Sequence, residues 1–170
     1  GLKYLAQPDY LEFSFPDTSD QIVSLSDDRF KNKVVIVQLM GSWCPNCLDE
    51  TKYYSEFYKA YKDLDIEFVA LAVEYAKTKE KAFKSMDRLK QNIGIDYPIL
   101  LVQFGTVNKA EAQIKLPMLN SVLSYPTTIF IDKKGKVRKI HTGFNGPATG
   151  EKYIEFKKDF ESFVVELLKD

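Results

Sequence analysis

The sequence has no cysteine to spare for a structural disulfide. Its only two, Cys44 and Cys47, stand two residues apart in Trp43-Cys44-Pro45-Asn46-Cys47, so fold stability must come from a hydrophobic core. Histidine is nearly absent, with His141 alone. A closed zinc site needs about four ligands, which two Cys and one His do not supply without another ligand type or another chain, so no metal is expected. Excess charge is missing too: Lys+Arg and Asp+Glu are 24 each. A nucleic-acid partner leaves a basic footprint, and none is expected here. No apolar stretch approaches the ~20 residues that span a bilayer, and no secretory leader is visible. Gly1 is expected to be a processing or cloning scar, with a leader or upstream domain missing.

What is present suits one domain with a proper core: 170 residues, 45% of them hydrophobic. Residues 1–10 show no period and read as an arm or linker, and 11–170 as the domain. Phe13 and Phe15, then Ile22-Val23-Ser24-Leu25, alternate with polar neighbours and predict a hairpin around Pro16-Asp17. Ser26 to Phe30 fits one helical turn. The run Val34–Met40 is almost wholly apolar, as in a central strand buried on both faces. A helix is expected from Pro45, whose missing N–H costs nothing at a first helical position, with Tyr54, Phe57, Tyr58 and Tyr61 at helical spacing.

Further on, Ile66–Val73 predicts a second buried strand. Ala82, Phe83, Met86, Leu89 and Ile93 mark a helix that Gly94 is placed to end. Strands follow at 98–102, 127–132 and 137–141, the last two joined by a turn at 133–136. Between them, Ala110 and Ile114 suggest a helix before Pro117, with no clear end before 124. Tyr153, Phe156, Phe160, Phe163, Val164 and Leu167 form one stripe over 151–168. Alternation through the middle implies an α/β fold with a mostly parallel sheet and helices on both faces, extended by an antiparallel ββ unit.

The motif carries the chemistry. Thiolate is the nucleophile in disulfide exchange, and a free cysteine titrates near ~8.5. Cys44 falls at a helix start, where unpaired backbone N–H groups and the macrodipole favour an anion. Cys47 lies one turn in, on the same side but deeper. Cys44 is therefore assigned as attacker and Cys47 as resolver, which must lose its proton to release a bound substrate. Glu50 is three residues past Cys47 on the same helix face. Partly buried, it would have a raised pKa and could shuttle that proton; solvated, it would only stabilise the helix dipole. Spacing alone leaves both open.

With Gly41-Ser42 before the motif and Tyr125-Pro126-Thr127-Thr128-Ile129-Phe130-Ile131-Asp132 about 80 residues after it, the chain resembles the thioredoxin superfamily. Gly135-Lys136-Val137 and the stretch from His141-Thr142-Gly143-Phe144 to Gly150 are similar to its TlpA/ResA-like branch of Bacteroidetes type. The resemblance implies a thioredoxin-like fold: a central mixed sheet flanked by helices, with an N-terminal β extension. It implies a cell-envelope or periplasmic thiol–disulfide oxidoreductase, most simply a reductant fed by a membrane electron donor. The implied substrates are protein disulfides and dithiols, and no cofactor is needed beyond the Cys44–Cys47 redox-active disulfide. It also implies that Pro126 is a cis-proline packed on the cysteines, and that the backbone at Tyr125 pairs with an incoming peptide. In ResA-like members a glutamate occupies the Glu50 position, which favours its proton-shuttle role.

One departure matters. Thioredoxin proper has a buried acid six residues before its first cysteine, and Gln38 stands there instead. Proton handling then falls on Glu50 or solvent. Trp43 and Pro45, flanking Cys44, are assigned with Tyr125 and Pro126 to the substrate surface. Glu74 and Tyr75 end the second parallel strand, where open α/β sheets place their sites; they could line the substrate rim, but a solvated loop is the favoured account. His141 is expected to be structural or surface. Two rivals remain: a binding module holding thiol proteins or a metal without turnover, and a peroxidase. The second lacks its Thr three residues before the reactive Cys, since Gly41 precedes Cys44 by three and Cys44 precedes Cys47 by three.

Overall fold

A computed structural model describes residues 8–119 and 124–170. Along the chain the strands are β1 (Ser14–Pro16), β2 (Ile22–Ser24), β3 (Val34–Met40), β4 (Ile66–Val73), β5 (Ile99–Gln103), β6 (Thr127–Ile131) and β7 (Val137–Thr142). The helices are α1 (Pro45–Tyr61), α2 (Lys79–Ile93), α3 (Lys109–Lys115) and α4 (Glu151–Lys169). Asp28 to Phe30 forms a short 3-10 turn.

Five strands make one sheet in the order β5-β4-β3-β6-β7, and β1 and β2 pair apart as a hairpin. β3 runs parallel to β4, and β4 to β5. β3 and β6 are antiparallel, as are β6 and β7. The sheet is thus evenly mixed rather than mostly parallel. The difference arises because β6 enters beside the central strand, not at an edge. β3 is buried along its whole length, as its unbroken apolar run requires.

The two faces of β3 build two cores. Val34, Ile36 and Met40 pack with Tyr54 and Phe57 of α1, Ala82 and Met86 of α2, and Phe160, Val164 and Leu167 of α4. Val35, Val37 and Leu39 face the other way, onto Leu11, Phe13, Val23, Phe30, Ala112 and Leu116. Three long helices therefore share one face, because β3, β4 and β5 advance in one direction and right-handed crossovers place α1 and α2 on the same side. The N-terminal hairpin and α3 cover the other.

Gly94 ends α2 in the left-handed region at φ +79°. Helix α3 forms, but its buried side chain is Ala112, while Ile114 is 77% exposed and Ala110 is also exposed. Seven residues give too few turns for Ala110 and Ile114 to define a face. Residues 120–123, where that segment's end would fall, lie outside the described residues, as do residues 1–7 of the expected arm. Asp9 and Tyr10 of that arm join the sheet: Val137 N donates to Asp9 O at 2.8 Å, and Tyr10 bridges to Lys136.

Candidate active site

The cysteines lie where β3 ends and α1 begins, at the C-terminal edge of the parallel strands. Cys44 is the N-cap of α1 with extended backbone, and its Sγ accepts a hydrogen bond from Cys47 N at 3.3 Å. A thiol sulfur thus replaces the oxygen that usually satisfies an orphan N–H at a helix start. Pro45 follows as the first helical residue and is exposed. Both thiols are free; Cys44 is 6% exposed and Cys47 fully buried. Burial pushes the Cys47 thiol far up, reinforced by the Cys44 side chain and opposed by a hydrogen bond involving the Gly41 backbone.

The loop before Cys44 is fastened to β4. Trp43 Nε1 donates to Val73 O at 2.8 Å. Ser42 N donates to Glu74 Oε2 at 2.8 Å, and Ser42 Oγ donates to Glu74 Oε1. Gly41 is required by packing: a Cβ there would fall 2.1 Å from Trp43 Nε1 and 2.8 Å from Val73 O. Glu74 is therefore not in a solvated loop. It is 1% exposed, its carboxyl is raised by burial, and its acceptors are used to hold the cysteine loop. Tyr75, the next residue, is 57% exposed and meets Trp43 edge-on, with ring centroids 5.0 Å apart.

On the other side stands the strand that opens with Pro126. The Tyr125–Pro126 peptide bond is cis, and Pro126 is buried. Cys44 Sγ lies 3.9 Å from Tyr125 O as a sulfur donor. Tyr125 is half-buried and packs edge-on to Trp43 at 5.7 Å. Trp43, Tyr125 and Pro126 thus gather around Cys44, while Pro45 faces solvent beside it.

Glu50 sits behind the cysteines and is completely buried, so it is not a solvated first-turn acid. Gln38 Nε2 donates to Glu50 Oε1 at 3.0 Å, and Thr128 Oγ1 donates to the same oxygen at 3.3 Å. Gln38 is held from its other end, where its Oε1 accepts from Thr51 Oγ1 at 3.2 Å. Burial raises the Glu50 carboxyl from 4.5 to about 8, against the pull of the hydrogen bonds from Gln38 and Thr128. Glu50 Oε2 has no hydrogen-bond partner among the described residues.

His141 lies on β7 in register with Thr128, and its ring packs 6.0 Å from Phe156. Burial and Lys139 lower its pKa. None of its described contacts reaches either cysteine. Sequence reasoning missed Glu74, Ser42, Thr128 and Tyr54 as site residues. Tyr54 carried a signal, standing four residues past Glu50 on one helix face, but its aromatic ring also suits a core position.

Together these groups place a thiol at a helix start, a second thiol one turn behind it, and a buried carboxyl whose pKa is raised to about 8. Residues 8–154 match the model of the family described as Redoxin. The thiol-disulfide oxidoreductase ResA of Bacillus thuringiensis subsp. konkukian is 30% identical over 146 residues, covering 86% of this chain and 73% of that protein. The protein of the same name from Geobacillus kaustophilus is 28% identical over 144 residues, covering 85% and 73%. Among solved structures, a thiol:disulfide interchange protein of the thioredoxin family from Chlorobium tepidum superposes with a TM-score of 0.69 at 22% identity, covering 96% of this chain and 98% of that one. That last likeness speaks to the fold alone.

Proposed function

Because the chain belongs to the redoxin family, as a ResA/TlpA-like member of the thioredoxin superfamily, we propose that it exchanges disulfides with protein substrates as a cell-envelope reductant. The observation that carries this reading is the placement of Cys44 at the N-cap of α1, with Cys47 and Glu50 stacked behind it on one helix face.

The Cys44 thiolate attacks one sulfur of a substrate disulfide. That S–S bond breaks, the first substrate sulfur leaves as a thiolate and takes a proton from water, and a mixed disulfide forms on Cys44. Cys47 gives its proton to the Glu50 carboxylate, and its thiolate attacks Cys44 Sγ. The mixed disulfide breaks, the second substrate thiolate leaves and takes a proton from water, and Cys44–Cys47 becomes the disulfide. The substrate is reduced by two electrons, which an external dithiol, in this reading a membrane electron donor, returns to the pair. A substrate strand adds its backbone beside Tyr125 and Pro126, with Trp43 and Pro45 flanking the sulfur.

Equilibration of the pair with glutathione tests direction. A reductant holds its cysteines as dithiol only under strongly reducing ratios, and it reduces insulin catalytically. A pair that stays reduced against oxidised glutathione, with no insulin turnover, would contradict the reading.

A further inference from the structure

Two buried hydroxyls stand behind Glu50 that the exchange chemistry does not use. Tyr54 lies one turn beyond Glu50 on α1 and is fully buried, and its Oη is 2.6 Å from Thr128 Oγ1. Thr128 is also buried. A hydroxyl has one proton to give. Since Thr128 donates that proton to Glu50 Oε1, Tyr54 must be the donor in the 2.6 Å pair. The polarity of the chain is thereby fixed: Tyr54 to Thr128 to Glu50 Oε1. Gln38 Nε2 ends on the same oxygen.

The two oxygens of the carboxyl are therefore unlike. Oε1 collects both direct donors, and Oε2 has no partner among the described residues. A carboxyl proton resides on the oxygen that is not already accepting. The titratable groups around Glu50 are Cys44 and Cys47 at the start of α1, Tyr54 one turn on, and Tyr97, which interacts with it from the chain leading into β5. β3 and β6 present Gln38 and Thr128, and His141 of β7 is Thr128's register partner. Among the described residues no cation offsets the burial of the carboxyl, so hydrogen bonds to Oε1 are what favour its ionised form.

We infer that Tyr54 and Thr128 are positioning residues for the resolving step: their hydroxyl chain reserves Oε1 as a standing acceptor and leaves Oε2 to take the Cys47 proton. This rests on the role proposed above for Glu50 and deepens it. The chain also sets the pH at which that oxygen is free to accept.

The test uses the whole chain, labelled with ¹³C-glutamate and loaded at Cys44 with glutathione as a mixed disulfide. Thr128→Val should move the Glu50 titration upward by about one pH unit. The pH profile for glutathione release should move with it, slowing release at neutral pH about tenfold. Thr128→Ser should restore both, and Tyr54→Phe should move both the same way by less. A Thr128→Val chain that folds and keeps the wild-type midpoint overturns the inference. So does a shift that Ser does not reverse, which would mark a packing effect. Should Thr128→Val fail to fold, an unmoved midpoint in Tyr54→Phe overturns it equally. Glu50→Gln separates the two readings. A release profile unchanged in Glu50→Gln defeats the role of Glu50 itself. A profile abolished by Glu50→Gln but unmoved by Thr128→Val defeats only the hydroxyl chain.

Discussion

Gln38 Nε2 lies 3.0 Å from Glu50 Oε1, bonding the strand that leads into the cysteine loop to the helix that leaves it. An amide six residues before Cys44 thus serves as a hydrogen-bond donor to a buried carboxyl. Gln38→Leu removes this donor and strands Thr51 Oγ1, its other partner. The Glu50 titration should rise above about 8, and chemical denaturation should show a loss of about 1–3 kcal/mol. Gln38→Glu should do something different: two carboxyls within hydrogen-bond reach share one proton and titrate as a pair. That variant should lose stability steeply on the alkaline side, where both would ionise. A denaturation midpoint as flat with pH as the wild type's would contradict it.

Glu50 itself imposes a pH slope on stability. Its carboxyl titrates at about 8 when folded against 4.5 ordinarily, so the folded chain keeps a proton that the unfolded chain has released. Stability is then fullest below about 4.5, falls as pH rises, and levels off above about 8. Glu50→Gln has no such titration. The variant should gain on the wild type across that window, by on the order of a few kcal/mol at its alkaline end, while resolving mixed disulfides at least about tenfold more slowly. Parallel stability curves would show that the carboxyl is not held protonated.

Gly41 offers a test of the loop. A Cβ there meets Trp43 Nε1 at 2.1 Å and Val73 O at 2.8 Å, so Gly41→Ala must push the indole off its bond to β4. Trp43 is the only tryptophan, and its fluorescence should shift to longer wavelength as the ring becomes wetter. Stability should fall by about 1–3 kcal/mol. An unchanged emission maximum would mean the loop is not packed as described.

Glu74 should matter through Ser42 rather than through protons. Glu74→Ala leaves Ser42 N and Oγ without their acceptor. Thiol-probe labelling of Cys44 should change several-fold, and stability should drop by about 1–3 kcal/mol. Ser42→Ala, which keeps the backbone bond, should have the smaller effect on labelling. Equal effects in both variants would indicate that the hydroxyl alone holds the loop.

Much of this arrangement could be read from the chain. The apolar run Val34–Met40 and the Gly94 stop follow directly from periodicity and backbone preference, and both are in place. So is the Cys-x-x-Cys at a strand-to-helix turn, because local order alone sets it. What escaped depends on register between distant strands. Thr128 reaches Glu50 only because β6 lies antiparallel beside β3, pairing Thr128 with Gln38. Glu74 reaches Ser42 only because β4 ends alongside the cysteine loop. Neither pairing leaves a mark at fixed spacing in sequence.

The most direct test is a trapping experiment with Cys44→Ser and Cys47→Ser chains, mixed with a protein disulfide such as insulin and resolved by mass spectrometry after acid quenching. Cys47→Ser should accumulate one substrate chain per molecule, joined at Cys44 and stable with time. Cys44→Ser should form no adduct, because Cys47 is buried and its thiol is held protonated. The wild type should pass through the adduct to the Cys44–Cys47 disulfide. An adduct on Cys47, or turnover that survives Cys44→Ser, would contradict the assignment of Cys44 as attacker and Cys47 as resolver.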